Sequence, residues 1–248
     1  MLLPTAGRMN LNQQIEEWLQ QVRAGFNGSR HANDRPFVTL CYAQSLDGSL
    51  AHRAGEKLQL SGQKSTQLTH QMRSLHDGIL VGIGTVLADD PQLNVREWAG
   101  ASPQPVVLDS QLRMPASARL CAASGKRCWV LTSQSPDDSP RDYELLTVAS
   151  NAAGQVDLQA ALHLLHERGI RSLMVEGGAS VITAFLQNRL VDALVMTVAP
   201  IMIGGYKAVG ELGLSSPQQF PSLWPAHSEK LDDDLIVWGA LNFAEGEA

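Results

Sequence analysis

Three short stretches of the 248-residue chain carry side chains and spacings with which chemistry can be done. The first is Val175, Glu176, Gly177, Gly178, Ala179 and Ser180, an apolar strand running into glycines and then into a helix marked by Val181, Ile182, Phe185 and Leu186. Glycines at such a turn let the backbone approach a ligand, and the free N–H groups of a helix start favour an anion. A diphosphate bridge is the natural guest. Glu176, at the end of a buried strand, needs a partner such as a sugar hydroxyl. A plain tight turn explains the same glycines and stays open, and the spacing is not the G-x-G-x-x-G of the standard dinucleotide fold. The second stretch is 82–91, where Gly82 and Gly84 precede Thr85 (an N-cap or a phosphate-contacting hydroxyl) and the pair Asp89 and Asp90 precedes Pro91. The two carboxylates either bind sugar hydroxyls and polarise a reacting group, or cap a turn. The third feature is Arg73 and Arg96 on either side of that stretch. A guanidinium fork suits phosphate oxygens, and a solvated surface position is the plain alternative.

Positioning these groups needs strands whose ends share one edge. Apolar runs at 37–43, 78–83, 105–108, 128–132, 145–149, 172–175 and 191–199 read as strands. Helices are expected from Ser61 as cap to about residue 75, over a short turn at 85–88, from 158 to 168 with Gly169 after it, and from the glycine turn to about 187. Strand and helix alternate, which predicts an α/β architecture: one mixed, mostly parallel sheet flanked by helices, in a single domain. The segment 229–241 around Asp232–Asp234 predicts a C-terminal antiparallel hairpin. Ahead of it all, Leu11, Ile15, Leu19 and Val22 recur at helical spacing behind Asn10, a plausible N-cap. Residues 1–34 therefore read as an N-terminal helical appendage and 35–245 as the main domain. Two glycine-hinged strand ends in one sheet point to a crevice, because ligands of open α/β sheets bind at strand ends.

Composition narrows the classes of function. Net charge is −6, which argues against nucleic acid as a partner, and no apolar run of about 18 residues is present to span a membrane. Only 18% of residues are charged against roughly 25% in average domains, so much of the chain is expected to be buried. Cys41, Cys121 and Cys128 read as reduced thiols, and the first residues lack a secretory pattern, which together predict a cytoplasmic protein. No metal site is expected: His163 and His166 lack an acidic partner at ligand spacing, and His70 and His76 merely bracket Arg73. His31, Ala32 and Asn33 lack the glutamate of a zinc deaminase.

Taken in order, TLCYAQSLDGSLA (39–51), THQMRSLHDGILVGIGTVLADDPQLNVR (69–96), PVVLDSQLRMP (105–115), LMVEGGASVITAFL (173–186) and VDALVMTVAPIMIGG (191–205) resemble the reductase domain of riboflavin biosynthesis, whose fold is like dihydrofolate reductase. The wording is nearer the stand-alone fungal and archaeal type than the bacterial deaminase–reductase fusions, which usually carry a lysine where Cys41 stands. The resemblance implies NADPH as cofactor, contacted by Ala43, Thr85, Asp89, Ser110 and the turn Gly177, Gly178, Ala179, Ser180 and Val181. It implies a phosphorylated aminopyrimidine substrate held by Lys57, Arg73, Leu93, Arg96 and Glu176, with Arg73 and Arg96, then Lys57, for the phosphate. Gln59 falls where the fusions have a tryptophan. Asp89 and Glu176 are the candidates for catalysis, and a homodimer is expected. The reaction implied is hydride reduction of a ribosylamine, opened at C1′, to ribityl. Dihydrofolate reductase itself is disfavoured, because residues 63–75 offer no carboxylate to protonate a pterin. A related pterin-like or sugar-phosphate substrate and a non-catalytic cofactor-binding module are the remaining alternatives.

Overall fold

The computed structural model describes residues 9–123, 125–135 and 140–243. The first eight residues, read above for a signal, and residues 244–245 of the expected domain lie outside these. In chain order the elements are α1 (Leu11–Asn27), β1 (Phe37–Ser45), β2 (Ser49–Ala51), α2 (Gln63–Ser74), β3 (Gly78–Gly82), α3 (Ile83–Asp89), β4 (Gln104–Leu108) and α4 (Leu120–Ala123). They continue with β5 (Cys128–Thr132), β6 (Tyr143–Thr147), α5 (Leu158–Glu167), β7 (Ser172–Val175), α6 (Ala179–Gln187), β8 (Ala193–Ala199), β9 (Tyr206–Lys207), β10 (Ser222–Leu231) and β11 (Asp234–Asn242).

Nine strands form one sheet in the order β10-β11-β8-β1-β7-β3-β4-β5-β6. From β8 to β6 the neighbours are parallel, and β11 and β10 are added antiparallel as a hairpin, which is the mixed sheet the sequence predicts. Alternation along β1 sorts the two faces. Val38 and Leu40 join the cluster under α5 and α6, whereas Phe37 and Cys41 join the cluster under α1 and α2. β8 lies between β1 and β11, and every residue of it except Met196 is buried.

α1 departs from the expectation of an appendage. Asn10 caps it in a capping box with Gln13, and its buried stripe Leu11, Ile15 and Leu19 packs with Phe37, Leu68, Met72, Ile236 and Trp238. The helix is therefore a wall of the core. α2 also starts differently. Gly62, not Ser61, is its N-cap and has no side chain to use. The carboxylate of Asp234, at the start of β11, accepts from the Gly62 N–H at 2.9 Å and from the Ser65 hydroxyl at 2.6 Å. A cap supplied from the far end of the chain leaves no local signature.

Candidate active site

The parallel strands end at one edge, and there a crevice of about 1180 Å³ opens between β1, β3, β4, β7 and the loops that follow them. Its lining includes Ala43, Lys57, Gln59, Arg73, Thr85, Asp89, Arg96, Ser110, Glu176, Gly177, Gly178, Ala179, Ser180 and Val181, brought together from five separate stretches of sequence. The two glycine turns touch. A Cβ on Gly82 would stand 2.6 Å from Val181 Cγ2, and one on Gly178 would stand 3.2 Å from Thr85 Oγ1. Gly178 is the N-cap of α6 and provides no side chain, so the first N–H groups of that helix remain available to an anion. Thr85 is the third residue of α3, whose N-cap is Gly82, so it is a crevice hydroxyl and not a cap.

The adjacent aspartates divide their labour. Asp90 takes a left-handed backbone (φ 42°) and accepts from the Arg119 N–H, which is turn work. Asp89 ends α3 and faces the crevice with a buried Oδ1 that has no hydrogen-bond partner. Burial raises its pKa, and the nearby Lys57 charge pulls the other way.

Two expectations are corrected. Arg73 is not free for a phosphate: its Nε and Nη2 donate to the two Glu176 oxygens at 2.6 and 2.7 Å, and its Nη1 donates to the Asn94 carbonyl at 3.0 Å. Glu176 therefore finds its partner in a buried bidentate ion pair between α2 and the end of β7, not first in a sugar hydroxyl. Leu93 does not line the crevice. It is 1% exposed, takes φ 52°, and packs with Ile83, Val86 and Met114 beneath it. Cys41, close to the ion pair, is kept protonated by burial first and by the Glu176 charge second, so no cation stands at that position.

Other residues of the site carry no motif. Ser110 uses its hydroxyl to accept from the Val156 N–H at 2.9 Å, and Arg113 reaches the crevice from the same loop. Asp47 accepts from the hydroxyls of Ser45 and Ser49, the N–H groups of Ile203 and Gly204, and Lys207 Nζ. These bonds, the Ile203 N–H foremost, hold its carboxyl well below the usual range. They tie the segment before β9 to the β1–β2 turn, which places Tyr206 at the mouth of the crevice. Among the described residues no group of three or more potential ligands could hold a metal ion, and no helix is long and apolar enough to cross a membrane.

The chain has relatives among known proteins. It is 37% identical over 199 residues to the 2,5-diamino-6-ribosylamino-4(3H)-pyrimidinone 5′-phosphate reductase of Debaryomyces hansenii, covering 71% of this chain and 79% of the relative. It is 36% identical over 182 residues to the reductase of the same name from Archaeoglobus fulgidus, covering 69% and 83%. Among solved structures, the Saccharomyces cerevisiae riboflavin biosynthesis reductase Rib7 superposes with a TM-score of 0.74 at 30% identity, covering 92% of this chain and all of that one. RibD of Acinetobacter baumannii gives 0.73 at 26% identity, covering 84% and 59%. Residues 36–237 match the model described as the RibD C-terminal domain, and it is to this family that the chain belongs.

Proposed function

We propose that the chain is an NADPH-dependent reductase of riboflavin biosynthesis that converts the ribosyl side chain of 2,5-diamino-6-ribosylamino-4(3H)-pyrimidinone 5′-phosphate to ribityl. The observation that carries this reading is Asp89 Oδ1, buried and without a hydrogen-bond partner, in the crevice that the two glycine turns line. Such an atom costs about 1–3 kcal/mol unless a ligand bonds to it. The named activity of the fungal and archaeal relatives supports the substrate.

The residues present fit a dinucleotide. The uncapped start of α6 and the bare Gly177–Gly178 backbone suit a diphosphate, with Ala43, Thr85 and Ser110 along its course. Arg113, on the Ser110 loop, lines the same crevice and would be the cation for the additional phosphate that separates NADPH from NADH. When bound, NADPH supplies the hydride that reduces C1′ of the substrate.

This chain's residues do the rest. Arg96 and Lys57 hold the 5′-phosphate, since Arg73 is committed to Glu176. Each Glu176 oxygen keeps a lone pair for the amino groups of the pyrimidine, and the neutral Cys41 thiol lies beside it in place of a lysine. Opening the sugar breaks the C1′–O4′ bond as the lone pair of the attached nitrogen forms a C1′=N iminium, and O4′ takes a proton that Asp89, biased by burial toward its protonated form, would give. The enzyme otherwise works by holding two reacting carbons together and keeping water away.

The same reading takes the chain as a cytoplasmic homodimer. Its three cysteines are free, in keeping with a reducing compartment, and the edge strand β10 leaves Trp224 exposed where a second copy can approach.

The test is loss of reduced-nicotinamide absorbance with the diamino substrate and with its deaminated uracil form offered separately. Oxidation with the diamino form alone is expected. Preference for the uracil form would place the enzyme after deamination. Measurable NADPH binding without turnover of either would overturn the reading in favour of another pterin-like or sugar-phosphate substrate.

A further inference from the structure

Arg96 is the most exposed of the arginines assigned to the substrate end, 47% accessible, yet the segment that carries it is tightly organised. Leu93 anchors it in the core, and the Val95 N–H donates to the Ser102 hydroxyl at 3.1 Å. The Arg96 N–H donates to His70 Nδ1 at 3.2 Å. His70 is 1% exposed and lines the crevice from α2, one turn before Arg73. Asn94 joins the two arginines: its side-chain Oδ1 accepts from Arg96 Nη1 at 3.2 Å, while its backbone carbonyl accepts from Arg73 Nη1. Its own amide nitrogen is fixed on the Ala123 carbonyl at 3.2 Å.

The direction of the His70 bond determines its chemical state. A backbone N–H can only donate, so Nδ1 must accept, and the ring carries its proton on Nε2. The nearest acid to Nε2 is Glu97 Oε1 at 3.8 Å, beyond direct hydrogen-bond reach. Burial, then the charges of Arg73 and Arg96, favour that neutral ring.

We propose that His70 is a positioning residue for substrate recognition: by accepting the Arg96 amide proton, with Asn94 steadying the guanidinium, it holds Arg96 in the pose that receives the 5′-phosphate. This rests on the assignment of Arg96 to the phosphate made above. An arginine on an untethered strap would have to be ordered at each binding event, which lowers affinity without touching the reacting carbon.

The experiment compares phosphorylated and dephosphorylated substrate in the whole enzyme, with ribose 5-phosphate titrated calorimetrically as a probe that needs no turnover. His70→Phe keeps a ring but removes the acceptor, and His70→Asn returns an oxygen close to the place of Nδ1. Loss of one such bond is expected to lower the preference for the phosphorylated substrate about three- to tenfold, through KM and not kcat, and to weaken ribose 5-phosphate equally. His70→Asn should recover most of it, and NADPH affinity should stay within twofold. Asn94→Ala, measured for the same ratio, covers the case in which His70→Phe does not fold. The proposal is overturned if the ratio is unchanged, if both substrates suffer alike, or if His70→Asn is no better than His70→Phe. If Arg96→Ala leaves ribose 5-phosphate binding intact, the phosphate assignment fails with it; if the wild-type chain binds the probe but reduces neither pyrimidine, the functional reading fails instead.

Discussion

Arg73 and Arg96 look alike in sequence and behave differently in the structure. Arg73 is half of a buried, bidentate pair, and removing one partner of such a pair strands a charge. Glu176→Gln or Arg73→Met should therefore lower stability by about 3–5 kcal/mol, read as a denaturant midpoint, as well as activity. Arg96→Ala, at an exposed position, should leave that midpoint within about 0.5 kcal/mol while raising KM for the phosphorylated substrate. Equal midpoints for Arg73→Met and Arg96→Ala would contradict the pairing. Asp89→Asn keeps the shape and removes the acid. Its kcat should fall at least about 10²-fold with NADPH affinity within a few-fold, and a kcat near wild type would remove Asp89 from the proton path.

At the scale of elements, the contact between Gly82 and Val181 is what lets β3 and α6 converge on the crevice. Gly82→Ala places a methyl against Val181 Cγ2, an overpacking expected to cost about 1–3 kcal/mol. Because the clash involves one valine methyl, Val181→Ala in the same chain should recover part of that loss, a non-additivity visible in a double-mutant cycle. α1 offers a second check. Fully burying each of Leu11, Ile15 and Leu19 is worth about 1.5–3 kcal/mol, so a chain beginning at residue 34 should melt far below the full chain or fail to fold. What sequence can reveal divides along the same lines. The runs at 128–132 and 172–175 are strands to the residue, because a short apolar stretch bounded by turn residues has little else to be. The glycine turns stand out in the local sequence and line the crevice, whereas local chemistry leaves Asp89 and Asp90 alike and only the fold separates them. The Arg73–Glu176 pair and the Asp234 cap join residues 103 and 172 positions apart, and α1 packs on residues from Phe37 to Trp238, so no local pattern encodes these partners.

For the molecule as a whole, acid is the weak side. His76 is buried with Nδ1 donating to the Met72 carbonyl at 2.6 Å and Nε2 accepting from Thr39 at 2.8 Å, and burial pushes its pKa down to about 3. Below its ordinary value of 6.5 the unfolded chain takes a proton that the folded chain refuses. Stability is thus full above that pH and should fall by up to about 1.4 kcal/mol per unit from there toward pH 3. Asp47, whose folded pKa is depressed, adds a loss of the same sign once the pH drops through its ordinary 3.8. Asp89, raised by burial, opposes them modestly because it is only partly enclosed. Urea midpoints across pH 4–8 should show this slope, and His76→Gln should flatten it; an unchanged slope would exonerate His76. The order of the sheet has a consequence of another kind. β1, the first strand in sequence, is an interior strand, with Phe37 beside Ser172 on one side and Thr39 beside Ala193 on the other. As the polypeptide leaves the ribosome, this apolar strand has neither neighbour until β7 and then β8 have been made, so the nascent protein carries an unpaired hydrophobic strand until that point. Slow elongation or premature termination before residue 172 should accordingly yield aggregates or chaperone-bound chains, not a folded N-terminal half.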